Sequence, residues 1–324
     1  MVSSLLNLFR WKNLLIAGAT IFCSKYAIFE PAITHLFPES HATMNLWETL
    51  LLSLSVMIIA AAGYVINDVH DLKADEINKP KKVIVGKTIS LNAANNLYIF
   101  LNGSGVLLAA YTGSLAGNYR LAILHVMIAA LLWIYSSYVK NTFLIGNVIV
   151  ALASAVVPMT YFFFESLGYI ESYGNVLVMT YKSIWGGPLK VLFYFSLGLG
   201  VFGFIISLIR EIIKDMQDYK GDFSVGANTI PILLGEKWTK ILIQVLCIVL
   251  IGSILFALYF WIPLLNIGRT SYSLYSIIFI FLLIGIIRSI SRAESHSDYQ
   301  THSNKCKLIM LAGVLSPLIY LLSI

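Results

Sequence analysis

Apolar runs long enough to cross a lipid hydrocarbon layer as helices recur along the whole chain, and no other feature restricts the fold as severely. A helix needs roughly 17–25 apolar residues for that crossing. We place the runs at Leu14–Leu36, Leu46–Ile66, Ala93–Thr112, Leu121–Tyr138, Phe143–Phe164, Leu189–Ile209, Ile241–Ile262, Tyr272–Ile287 and Leu308–Leu322, with the last two short. The chain is 58% hydrophobic and only 12% charged, whereas about a quarter of a soluble domain is charged. In hydrocarbon only helices and closed barrels satisfy their own backbone polar groups, and these runs are continuous rather than alternating, which excludes a barrel. The expected fold is therefore all-α and polytopic, with about nine transmembrane helices. No long polar linker divides the 324 residues, so 1–324 is expected to be one domain.

The polar breaks carry their charge unevenly. If the runs alternate in direction, the side holding the N-terminus collects Arg10, Lys12, Lys73, Lys79, Lys81, Lys82, Lys87, Lys140, Arg210, Lys214, Lys220, Lys237, Lys240, Arg288, Arg292, Lys305 and Lys307. The other side collects Lys25, Arg120, Lys182, Lys190 and Arg269. The positive-inside rule then predicts an inner-membrane protein whose N-terminus faces the cytoplasm. The first run follows Arg10 and Lys12 without a small-residue cleavage site, so it is expected to stay attached. A net charge of +6 needs no nucleic acid to explain it; anionic head groups and an anionic substrate suffice. No obligatory protein partner is evident. The cysteines Cys23, Cys247 and Cys306 lie far apart, without metal or redox spacing, and are expected to be buried apolar residues.

Acidic residues are more concentrated still. Of sixteen, half lie in two short stretches, Asp68–Glu76 and Glu211–Asp222, each at the cytoplasmic end of an apolar run. In both, aspartates stand at i, i+3 and i+7: Asp68, Asp71 and Asp75, then Asp215, Asp218 and Asp222. On a helix those positions fall within an arc of about 60°. Three carboxylates on one face repel one another and predict a cation between them. Mg²⁺ takes oxygen ligands and typically binds one or two carboxylates together with substrate phosphates. Two such triplets facing each other could hold a diphosphate and stabilise its charge as it departs. A solvated helix end is the ordinary reading of one triplet; the repetition of the spacing at two helix ends weakens it. A cation transporter remains the non-enzymatic alternative, although its acids would be expected near the midplane.

At these residues the chain resembles the UbiA-type intramembrane prenyltransferase family. Asn67, Asp68, Asp71 and Asp75 follow the pattern N-D-x-x-D-x-x-x-D and continue into Asn78, Pro80 and Lys82, where the family usually has arginine-proline for Lys82-Val83. The second stretch, from Arg210-Glu211 through Asp215, Asp218, Gly221, Asp222, Gly226, Thr229, Pro231 and Gly235, is similar to the branch that includes digeranylgeranylglyceryl phosphate synthase and its bacterial relatives. Arg10-Trp11-Lys12-Asn13 stands where the family often has arginine-proline-x-asparagine. Tyr135 and Lys140 resemble a pair that contacts the diphosphate, five residues apart here against a usual four.

The resemblance implies nine helices around a central cavity and transfer of an allylic prenyl group from its diphosphate, with Mg²⁺ as cofactor. Asp68, Asp71, Asp215 and Asp218 would be catalytic metal ligands, supported by Asp75 and Asp222. Asn67, Lys82, Tyr135, Lys140 and Lys214 would face the diphosphate, and Asn13, Asn78 and Asn147 would be polar cavity contacts. The implied acceptor is lipophilic: geranylgeranylglyceryl phosphate, with an aromatic quinone precursor such as dihydroxynaphthoate as the alternative. Each aspartate stretch precedes a basic, glycine-containing segment, which suggests two pseudo-repeated units. Glu165–Pro188 is expected to be the longest outer break, Pro158 to kink its helix, His70 to face solvent, and His125 to be a hydrogen-bonded structural residue.

Overall fold

The computed structural model describes residues 2–321 except 38–39, 79, 81–82, 185 and 262–268. Every regular element among the described residues is helical. The order is α1 (Val2–Leu8), α2 (Trp11–Cys23), α3 (Glu30–Leu36), α4 (Leu46–His70), α5 (Leu72–Asn78), α6 (Leu91–Leu115), α7 (Ala122–Ile134), α8 (Ile145–Tyr181), α9 (Gly187–Ser224), α10 (Ile230–Phe256), α11 (Arg269–Ile290), α12 (His296–Leu315) and α13 (Leu318–Leu321). Wider π-helical turns follow α2 at Ser24–Phe29, α7 at Tyr135–Val139 and α10 at Ala257–Trp261. Large apolar side chains such as Phe281, Leu107 and Phe100 are exposed on the outside, as expected of a protein whose solvent is lipid.

Among the described residues seven helices are long and apolar enough to cross a membrane, fewer than the nine runs read from the sequence. The difference lies in α6 and α12, which occupy the third and ninth runs. Asn92, Asn95, Asn96 and Asn102 dilute the apolar character of α6, and the first three turns of α12 are polar. A larger departure concerns the break expected at Glu165–Pro188. Helix α8 continues without interruption to Tyr181, because the buried Glu165 is fully hydrogen-bonded inside the bundle rather than marking a helix end.

Helix α4 packs along α6 and α2, α8 along α9, and α12 against both α9 and α2, so that α2 closes the circle. One core cluster joins α9, α10, α11 and α12 through Ile206, Ile213, Ile243, Leu283 and Ile309; a second joins α2, α4, α8 and α9 through Ile21, Leu52, Tyr161 and Leu192. Cys23, Cys247 and Cys306 are free and buried, as expected. Pro158 sits within α8 and lines the interior.

Candidate active site

The first aspartate stretch is not one continuous helical face. Helix α4 ends at His70, Asp71 occupies a turn, and Asp75 belongs to the first turn of α5. The break is slight, since the Asp75 amide still donates to the Asp71 carbonyl at 2.8 Å. Its effect is to let Asp68 and Asp71 meet different partners.

Asp68 pairs with Arg10, whose guanidinium lies 2.9 Å away and stacks 4.7 Å from the centre of the Tyr64 ring. Arg10 reaches it from the residue before α2, held in the left-handed region at φ 51°. That conformation is uncommon for a side chain with a Cβ and stores strain that the surroundings must enforce. Trp11 is then the first residue of α2, a position where proline is equally welcome, so the Trp-for-Pro change in this motif leaves the helix start intact. Asn13 donates to the Tyr64 hydroxyl at 3.1 Å.

Asp71 forms an ion pair with Lys140 and accepts from Asn67 Nδ2 at 2.7 Å, while Lys140 donates to Asn67 Oδ1 at 3.3 Å. Burial pushes the Asp71 carboxyl up, but Lys140, with Lys214 and Arg10 behind it, holds it below the usual carboxylate range. Burial likewise lowers the Lys140 ammonium, and Asp71 raises it above its ordinary value. The five-residue spacing of Tyr135 and Lys140 has a structural explanation. The Lys140 amide donates to the Tyr135 carbonyl at 2.9 Å, an i→i+5 bond closing the π-helical turn. One residue more than an α-helical turn is thereby absorbed, Tyr135 lines the interior, and Lys140 still arrives at Asp71. Such π turns recur at functional sites.

The second stretch lies entirely on α9. Asp215 accepts from Asn147 Nδ2 at 2.8 Å, and Glu211 pairs with Arg210 and, at 3.7 Å, with Lys214. The two stretches touch through Asn78. Its Nδ2 donates to the Asp218 carbonyl and its Oδ1 accepts from the Gly221 amide, each at 2.9 Å. A Cβ at position 221 would come within 2.3 Å of the Asn78 amide nitrogen, so only glycine allows this approach. Asn78 and Asn147, expected as cavity contacts, hydrogen-bond to the second acidic stretch and so fix the acidic ends. Lys82 lies outside the described residues. His70 is exposed and near Ser137, while His125 is buried 3.0 Å from the Ser55 hydroxyl.

Between α2, α4, α7, α8, α9 and α12 runs a cavity of about 230 Å³. Its walls are mostly aliphatic, among them Ile16, Ile59, Ile128, Val157, Leu199 and Ile206. Its polar end is lined by Arg10, Asn67, Arg210, Glu211, Lys214 and Lys307. Arg210, Glu211 and Lys307 were not among the residues singled out from the motifs as site candidates. The signal for Arg210 and Glu211 was present, as charged residues one turn before the aspartates; Lys307, on a distant helix, carried none.

No three acidic, histidine or cysteine side chains among the described residues stand close enough to hold a metal alone. Mg²⁺ does not require it, because waters and phosphate oxygens complete its shell. The all-oxygen donor set of the six aspartates suits that ion.

Residues 29–310 match the model of the UbiA prenyltransferase family. The chain is 31% identical over 198 residues to digeranylgeranylglyceryl phosphate synthase of Sulfolobus acidocaldarius, spanning 61% of this chain and 62% of that relative. It is 28% identical over 247 residues to the enzyme of the same name from Sulfurisphaera tokodaii, covering 76% and 79% of the two chains. A UbiA homolog from Archaeoglobus fulgidus, solved with GPP and Mg²⁺, superposes with a TM-score of 0.60 at 16% identity over 97% of this chain and 99% of that one. A structure from work on digeranylgeranylglyceryl phosphate synthase in membranes gives 0.60 at 21% identity over 98% of both. The fold, the paired acidic helix ends and the family match agree: this integral membrane protein belongs to the UbiA prenyltransferase family.

Proposed function

We propose that the protein transfers a geranylgeranyl group from its diphosphate to the free hydroxyl of geranylgeranylglyceryl phosphate. The observation that carries this reading is the junction of the two acidic helix ends, Asn78 against Asp218 and Gly221, together with an apolar cavity whose polar end is lined by Asn67 and Lys214, the chain neighbours of Asp68 and Asp215. The relatives named as digeranylgeranylglyceryl phosphate synthases support the choice of acceptor.

In this scheme Asp68, Asp71, Asp215 and Asp218 hold Mg²⁺, with Asp75 and Asp222 supporting. The ion, when bound, neutralises charge on the departing diphosphate. Lys140 and Lys214 face the diphosphate together with Asn67 and Tyr135; their charges are already fixed near Asp71, so little reorganisation is needed as the C–O bond breaks. Aliphatic walls around Ile59, Val157 and Leu199 hold the prenyl tail and keep water from the allylic cation. The acceptor hydroxyl oxygen then forms the new ether bond and loses its proton. The excess of lysine and arginine on the motif side supports a cytoplasmic site on the inner membrane.

Purified protein should release diphosphate from geranylgeranyl diphosphate only with Mg²⁺ and the glycerol phosphate ether present. Transfer to dihydroxynaphthoate and not to the ether would replace this reading with an aromatic-acceptor one.

A further inference from the structure

Four cations line the polar end of the cavity: Arg10, Arg210, Lys214 and Lys307. Arg10 is paired with Asp68, and Arg210 and Lys214 share Glu211. Lys307, arriving on α12, makes no hydrogen bond or ion pair among the described residues. Burial, then Arg210, Arg10 and Lys214, push its ammonium down to about 8, with Glu211 opposing only in part. A half-buried cation among three others is unfavourable unless an anion joins them.

The position of this excess matters. None of the six aspartates lines the cavity that Lys307 enters. Arg210 precedes Asp215 by five residues, about 7.5 Å along the α9 axis. Arg10 and Lys214 stay beside the aspartates, Arg10 2.9 Å from Asp68 and Lys214 next to Asp215 in the chain, so the place set apart from them is at Arg210, the cation that acts most strongly on Lys307. A donor diphosphate among the aspartates, Lys140 and Lys214 would leave this second place for another phosphate.

We propose that Lys307, with Arg210, forms a separate phosphate site that holds the phosphate monoester of the acceptor lipid. This rests on the acceptor reading given above and adds to it a specificity-determining residue from the last long helix. A phosphate there would accept charge-assisted hydrogen bonds from both side chains and set the acceptor hydroxyl toward the donor's first carbon. An acceptor without the phosphate would leave Lys307 buried and unmatched, which is a basis for discrimination.

The test compares purified wild-type protein, Lys307→Met and Lys307→Arg for binding of a monoalkylglycerol phosphate and of the same lipid without its phosphate. The binding buffer contains EDTA and no donor, so that the aspartate ends lack a divalent ion. We expect the lipid phosphate to bind wild type and Lys307→Arg, and to bind Lys307→Met about tenfold or more weakly, the scale of one charge-assisted hydrogen bond. The phosphate-free lipid should bind all three alike. In steady-state assays Lys307→Met should raise the acceptor KM and not the donor KM. Unchanged lipid-phosphate binding in Lys307→Met overturns the proposal. So does a rise confined to the donor KM, which would assign Lys307 to the diphosphate. Failure of the acceptor reading shows separately, as wild-type protein that prenylates an aromatic acid and leaves the glycerol phosphate untouched. Equal melting temperatures of the three proteins guard against a folding defect.

Discussion

Two buried groups of charges stand at opposite ends of this bundle, and they are built on opposite plans. On α8, Glu165 lies 18 residues, about 27 Å, beyond the Asn147 that binds Asp215. Its carboxylate accepts from Thr43 N at 2.6 Å, Thr43 Oγ1 at 2.8 Å, Met44 N at 3.2 Å and Tyr161 OH at 3.0 Å. A carboxylate has about four lone-pair sites, so this one is saturated. The buried Lys25 donates to the Met44 carbonyl beside it, and the result is a closed knot tying the segment before α4 to α8. At the aspartate end, by contrast, Asp68 and Asp71 each meet a cation, Asp215 meets a neutral amide, and Lys307 has no hydrogen-bond or ion-pair partner among the described residues. Saturation marks a structural device; unmatched charge beside a cavity marks a place where a ligand completes the set.

The sharpest break of that comparison is chemical. Asp68→Asn and Asp215→Asn should each lower kcat by about 10²–10³-fold or more, the scale of removing one group that stabilises developing charge. Thermal unfolding should barely move, since amides can occupy both places. Normal turnover in either variant would remove that residue from the scheme. Glu165→Leu should do the reverse. It strands the Thr43 and Met44 amides without an acceptor, which predicts a loss of about 2–4 kcal/mol in stability and a lower melting temperature in detergent. The activity per folded molecule should stay within about threefold, because surface and structural changes remote from the site act mainly through stability. A Glu165→Leu protein that melts normally but cannot turn over would mean that the knot is part of the active machinery.

How much of this was legible beforehand follows from the range over which each signal acts. Helix identity is written locally, in runs of apolar residues, and so α4, α8, α9 and α10 were all readable from their cores. The aspartates were readable because their spacing is itself a helical period. Glu165 misled for the same reason: an acid ends an apolar run on paper, whereas its partners Thr43 and Met44 lie more than a hundred residues away. The π turn at Tyr135–Val139 was visible only as a spacing one residue too long. Lys307 was invisible, because nothing near it in the chain says that α12 packs on α2 and α9.

Gly221→Ala probes the junction that makes one site of two stretches. A methyl group 2.3 Å from the Asn78 amide nitrogen must displace that side chain and both hydrogen bonds it makes. Two neutral bonds are together worth about 1–3 kcal/mol, so kcat/KM should fall about tenfold with the helices still folded. Combining it with Asn78→Ala should add little, since the two changes remove the same contacts. Additive losses would show that Gly221 acts through something other than Asn78.

The gentlest perturbation is pH. Lys307 faces Arg210, Arg10, Lys214 and Glu211, and its ammonium is pushed down from 10.5 to about 8. A lowered lysine is charged below that value and loses its proton as pH rises through it. In wild-type protein kcat/KM for the acceptor should therefore fall a few-fold between about pH 7.5 and 9, since that ratio reports the free enzyme. A bound phosphate stabilises the ammonium, so kcat at saturating acceptor should be flatter over the same range. Lys307→Arg keeps its charge throughout and should abolish the decline in kcat/KM. Thermal stability gives the matching control at the other end, where the Thr43 and Met44 donors to Glu165 do not titrate. A decline that survives in Lys307→Arg would place the titrating group elsewhere and erase the asymmetry between an end that is closed and an end that waits for phosphate.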